Sequence, residues 1–298
     1  MPSVRFLSLF TLVLSSITHT FAQRQCNGNA AYCSRSYSNI SFVGSHDSAF
    51  VGSEPSDNQD LSLTDQMNLG IRFLQGQTHK NILGDLDLCH TSCLLLDAGK
   101  LETYLGTVKS FLDSNANEVI TLLLTNGDSL DVSEFDTAFK NSGINTYAFV
   151  PSSNPLPIGS WPNLGDMIDA GTRLVVFLDY GADESKVNYI LNEFNYYFET
   201  PYDVTDSSFN ECNIDRPSGA SADGRMYIVN HFLDEDILGI DVPDRGAAST
   251  TNADQGTGSI GAQSDLCEGL YGRAPNVVLL DWSGTGDAMK AQGELNGL

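Results

Sequence analysis

The chain has 298 residues, six cysteines and a formal net charge of -23, with 41% hydrophobic residues. So acidic a surface repels nucleic acid and anionic membranes, and nothing after residue 22 is apolar for long enough to cross a bilayer. The chain is long enough to bury a substantial core without crosslinks.

The first segment places one cation, Arg5, before an apolar run from Phe6 to Ile17 and closes on Thr20-Phe21-Ala22. That layout predicts a secretory leader over residues 1–22. Residues 23–298 follow without a composition break and are expected to form one secreted, monomeric domain. In a secreted chain the six cysteines favour disulfides. About 15 pairings are open to sequence; proximity suggests Cys26–Cys33 and Cys89–Cys93, which leaves Cys212–Cys267. No two cysteines have the two-residue gap of a zinc knuckle. Asn39-Ile40-Ser41 is the one standard glycosylation sequon, making Asn39 the expected acceptor.

Strand-length apolar runs then recur between helix-like stretches. Residues 40–44 lead to His46, 71–74 to Gln75 and Gln77, 86–88 to Cys89-His90, and 119–124 to Thr125-Asn126. Further on, 173–178 lead to Asp179, 226–229 to Asn230-His231, and 277–280 to Asp281-Trp282. Several runs are continuous, as in strands covered on both faces. Residues 98–115 carry Leu101, Tyr104, Leu105, Val108, Phe111 and Leu112 on one helical face. Residues 133–141, 164–170 and 185–198 also read as helices. The alternation predicts an α/β fold, a single parallel (β/α)8 TIM barrel, with residues 147–150 as the eighth strand. Residues 218–224 and 247–261 read as loops.

His46, His79, His90 and His231, the four histidines beyond the leader, each fall at or just past the end of an expected strand. In a parallel barrel those ends share the face where active sites form. Asp47 follows His46, and Asp281 ends the last strand, which neighbours the first in a closed barrel. A carboxylate on one imidazole nitrogen fixes the tautomer and leaves the other nitrogen as a base. A second imidazole across the pocket supplies the acid that transfer at phosphorus needs.

The blocks Val-Gly-Ser-His46-Asp47-Ser-Ala-Phe, Leu-Gly-Ile-Arg72-Phe-Leu, Cys-His90-Thr-Ser-Cys and Leu-Leu-Asp281-Trp resemble the phosphatidylinositol-specific phospholipase C family. The likeness is greatest to its secreted fungal branch and runs over residues 38–290. The resemblance implies a phospholipase-C-like barrel and a phosphodiester substrate, lipid or glycolipid. It implies His46 as general base oriented by Asp281, and His90 as general acid assisted by Asp47. Gln75, Gln77, His79, Asn126, Asp179, His231 and Trp282 would line the pocket.

The chain also departs from the family. Metal-independent members carry an arginine where this chain has Gln77, and calcium-dependent members carry acidic ligands at the positions of Gln75 and Gln77. An amide replaces neither charge, so no cofactor is expected and calcium is disfavoured. Lys80, Arg72, protonated His79 or His231, or a histidine-bound transition metal are the available substitutes. The alternative function is a weakened or inactive relative that binds a ligand or serves at the cell surface. A glycoside hydrolase built on Asp179 and Asp281 would need two opposed carboxylates about 5–10 Å apart, and it leaves the histidines without a role.

Overall fold

Residues 23–298, with Ser3 alone before them, are described in a computed structural model; the leader expected over residues 1–22 otherwise lies outside the described residues. Twelve strands are found there: β1 (Phe42–Ser45), β2 (Phe73–Lys80), β3 (Leu86–His90), β4 (Leu96–Lys100), β5 (Ile120–Asn126), β6 (Leu174–Leu178), β7 (Ile190–Asn192), β8 (Tyr197–Glu199), β9 (Met226–Asn230), β10 (Asp234–Asp236), β11 (Asp241–Pro243) and β12 (Val277–Leu280). Eight of them run in the order β7-β6-β5-β2-β1-β12-β9-β8, and every pairing along that path is parallel. This is the expected α/β barrel. It is left open between β7 and β8, which are separated in sequence by the one-turn helix Glu193–Tyr196.

Period-two alternation builds the wall. Phe42, Phe73, Leu123, Phe177, Tyr197, Ile228 and Leu279 pack together in the barrel interior. Their neighbours Val43, Leu74, Leu122, Leu178, Phe198, Val229 and Leu280 instead join the outer layer beneath the helices. That layer includes Leu105, Val108 and Leu112 of helix Leu101–Ser114 and Phe135 and Phe139 of helix Val132–Ser142. The second helix is capped by the Asp131 side chain, which accepts from Ser133 N. Tyr37 and Trp161 stack at 4.7 Å between ring centroids and join the interior cluster.

Gly44 is required where β1 meets its neighbours. A Cβ there would lie 2.8 Å from Leu279 Cδ2 and 3.0 Å from the Phe73 carbonyl oxygen. Gly44→Ala is therefore expected to cost about 1–3 kcal/mol by overpacking, read as a lower urea midpoint at unchanged slope.

Four expectations change. Residues 86–88 are not a barrel strand: β3 pairs antiparallel with the end of β2 and with β4, forming a flap beyond the barrel. Residues 147–150 contribute one isolated bridge, Ala148 to Leu174, and no eighth strand. Residues 185–198 are not one helix but contain β7, a single helical turn and β8, because both short strands find parallel partners that satisfy their backbones. Residues 247–261 also hold a short helix, Ala248–Thr251, and the start of helix Ile260–Tyr271.

The disulfides are Cys26–Cys33, Cys89–Cys93 and Cys212–Cys267. The second braces the end of β3 where His90 sits, and the third ties the segment after β8 to helix Ile260–Tyr271. Asn39 is exposed. No described helix is long and apolar enough to cross a membrane.

Candidate active site

Strand β1 ends at Ser45, and His46 N still donates to the Leu280 carbonyl at 2.9 Å, so the chain turns immediately beyond the sheet. The turn puts Asp47 at φ +44°, a left-handed conformation that aspartate tolerates better than most residues. It is held by Gln75, whose Oε1 accepts from Asp47 N at 2.6 Å. Gln59 staples β1 to β12 by donating to the His46 and Leu280 carbonyls at 2.7 and 3.0 Å.

These constraints bring together the side chains singled out from the sequence. His46 Nδ1 meets Asp281 Oδ1 at 2.8 Å, and Asn58 donates to both Asp281 oxygens. His46 Nε2 and His90 Nε2 each lie 3.5 Å from the same oxygen, Oδ2 of Asp47. Asp47 is fully buried, and no donor among the described residues reaches its Oδ1. Phe232 stacks flat on the His46 ring at 3.7 Å, while Phe50 meets His90 edge-on at 5.2 Å. Both imidazoles are thus fixed in orientation.

Gln77 is committed within this network. It donates to Asp47 Oδ2 at 2.8 Å and accepts from Thr91 N at 3.0 Å, so it links the Asp47 carboxylate to the loop after His90. With Gln75 also engaged, the two amides supply no anionic ligand, and calcium does not fit this donor set. Among the described residues no three His, Cys, Asp or Glu side chains group closely enough to share a metal ion.

A cavity of about 440 Å³ opens over the pair. It is lined by His46, His90, Gln75, Gln77, His79 and Asp179, together with residues the sequence did not single out: Asn58, Tyr202, Asp203, Arg216, Glu193, Glu199, Asp234 and Asp241. Three expected lining residues lie elsewhere. His231 is fully buried, with its ring nitrogens on Gln263 Oε1 and the Thr251 carbonyl at 2.5 and 2.8 Å. Its neighbours Asn230 and Phe232 face the cavity, and alternation turns His231 away. Asn126 uses its side chain to hold the Leu130 and Tyr180 carbonyls at 2.9 and 3.1 Å. Trp282 packs behind Asp281, 3% exposed. His79 reaches the cavity but pairs with Asp128 at 2.9 Å. Arg72 and Lys80 pair with Glu118 and Glu134, and neither lines the cavity. Asp234 belongs to the β10–β11 hairpin at the cavity edge.

Burial works against charge on His46, but Asp47 and Asp281 outweigh it and raise the imidazole to about 9. Burial pushes Asp179 up to about 6 against the backbone donors Asn126 and Tyr180, and Asp234 up to about 7 with Asp281 adding to the rise. All three groups bind a proton more tightly folded than unfolded, so stability falls as pH rises. The carboxyl contributions fade from about pH 4 to 7. That of His46 is complete below about 6.5, is lost through about 9, and amounts to on the order of 3 kcal/mol. We therefore expect the melting temperature to decline by several degrees from pH 5 to pH 9, with the part above pH 7 flattened in His46→Gln.

The sequence model described as PI-PLC X 1 matches residues 32–296. A protein of Arthroderma benhamiae named PI-PLC X domain-containing protein 1 is 53% identical over 98% of this chain and 97% of its own length. A second protein of that fungus, named as an uncharacterized secreted protein, is 42% identical over 89% of this chain, which spans 61% of its length. Among solved structures, the phosphatidylinositol-specific phospholipase C of Listeria monocytogenes superposes with a TM-score of 0.55 at 14% identity, covering 89% of this chain and 95% of that one. This last likeness shows the fold.

Proposed function

Because the chain belongs to the PI-PLC X family, we propose that it is a secreted phosphodiesterase that cleaves a phosphodiester by paired-histidine acid–base catalysis. One observation carries the reading: the Nε2 atoms of His46 and His90 converge on one Asp47 oxygen, while Asp281 occupies the far nitrogen of His46. In this reading His46 Nε2 takes the proton of the attacking hydroxyl or water as its oxygen bonds to phosphorus. His90 gives a proton to the departing alkoxide as the opposite P–O bond breaks. Asp281 holds His46 in the tautomer that leaves Nε2 free, and Asp47 stabilises positive charge on either ring.

Secretion is supported by the leader-like residues 1–22, the three disulfides and the relative named as secreted. The substrate class is a phosphodiester with a lipid or glycolipid alcohol, taken by a monomer.

The rival reading, a barrel that binds without cleaving, is favoured by one observation: the cavity is lined by more carboxylates than cations. A panel of glycerophosphodiesters, phosphatidylinositol and aryl phosphodiesters, assayed from pH 4 to 9 with and without chelator, separates the two. Chelator-insensitive turnover supports the enzyme; binding without turnover supports the rival.

A further inference from the structure

Transfer at phosphorus requires positive charge opposite the non-bridging oxygens. Gln77 cannot supply it, being uncharged and bonded to Asp47 and Thr91. Of the cavity-lining residues, Arg216 is the one arginine or lysine. It lies in the segment after β8, and the backbone fastens it there: Glu199 N donates to the Arg216 carbonyl at 2.8 Å. The Cys212–Cys267 disulfide anchors the same segment four residues earlier.

Its guanidinium is held on one edge. Nε and Nη2 both donate to Glu199 Oε2, at 3.0 and 2.5 Å, and the Tyr202 ring lies 4.7 Å beneath. Among the described residues no acceptor engages Nη1. The side chain remains 27% exposed although Glu199 behind it is almost completely buried. A fork fixed on one edge and open on the other is how arginine is pre-organised for an oxyanion. His46, His90, Asp203 and Arg216 line the same cavity, so the cation and the histidine pair share one space.

Burial works against charge on Glu199, but Arg216 and the hydrogen bonds to its carboxylate outweigh it, so Glu199 is the ionised partner of the guanidinium. Burial drives Glu193 well above the usual carboxylate range, and Asp203, Asp179 and Asp234 are raised too, so these four acids ionise less readily.

We propose that Arg216 is a catalytic residue whose Nη1 edge binds and neutralises the phosphoryl oxygens, supplying from the segment after β8 the charge that Gln77 lacks. This rests on the phosphodiesterase reading above.

The test uses Arg216→Lys and Arg216→Ala, each checked for a native circular dichroism spectrum and melting transition. Two readouts are compared: kcat/KM on the best diester of the panel, and the affinity for diethyl phosphate followed by 31P line broadening. Loss of one such donor lowers rates by about 10²–10³. Arg216→Ala should fall in that range and recover in part with added guanidinium, Arg216→Lys should lose at least about tenfold, and both should weaken diethyl phosphate binding. Should Arg216→Ala not fold, Arg216→Lys decides, since it keeps a cation opposite Glu199. Wild-type turnover and affinity in a folded variant overturn the proposal and leave the acid–base reading intact. If the wild type cleaves no diester, that reading fails, and diethyl phosphate decides alone: weaker binding by the variants sustains the Arg216 site, and equal or absent binding removes it.

Discussion

His46→Ala and His90→Ala are each expected to lower kcat/KM by about 10²–10⁴, and the double variant to lose little more than the worse single one. The range is that of a positioned proton-transfer group. The non-additivity follows because the two rings serve one displacement, so removing either removes the concerted benefit of both. Both rings lie over the same Asp47 oxygen at 3.5 Å, so either substitution also leaves that buried carboxylate with one fewer imidazole neighbour. A purely structural role for the rings would move stability and leave kcat/KM of the folded fraction unchanged. Steady-state rates normalised to folded protein distinguish the two, and equal losses that multiply in the double variant would contradict a concerted pair.

Asp281→Asn is expected to lower kcat/KM by about 10³, with a shift in the pH profile that marks its origin. The carboxylate accepts from His46 Nδ1 at 2.8 Å and is fixed by Asn58. An amide there can present its NH₂ to Nδ1, which moves the imidazole proton to Nε2 and blocks the nitrogen that must act as base. The same change removes one of the two carboxylates that raise His46 to about 9. In the wild type the base form of His46 grows as pH rises toward 9, so kcat/KM should climb along that limb. In Asp281→Asn the limb should move to lower pH by about a unit or more while its plateau falls. A fallen plateau with an unmoved limb would mean that Asp281 acts on something other than the His46 charge.

Much of this site was legible in the chain itself. The runs ending at His46 and Asp281 are continuous, buried and joined in parallel register, Gly44 to Leu279, so the expectation that first and last strands adjoin was sound. The disulfide pairing followed from spacing. The β7–β8 region was not legible, because Ile190, Leu191, Phe194, Tyr197 and Phe198 recur at three- and four-residue spacing and mimic a helical face. Their conformation is set by the strands they pair with, which lie far away in sequence. His231 shows another limit: a strand-end position was visible, but which way its side chain turned was not. Arg216 carried no signal at all, sitting in a polar stretch between Thr200 and Gly224 without a strand of its own. Its place in the cavity depends on Glu199, on the bridge to β8 and on a disulfide closing 55 residues.

The most direct measurement of the paired-histidine chemistry is a 31P spectrum of a phosphodiester incubated with the purified protein in chelator, beside His46→Ala and His90→Ala. With the wild type alone, the diester signal should give way to that of a cyclic diester or a monoester. A diester signal unchanged by folded wild type across the panel and from pH 4 to 9, or consumed equally by both variants, would contradict that chemistry.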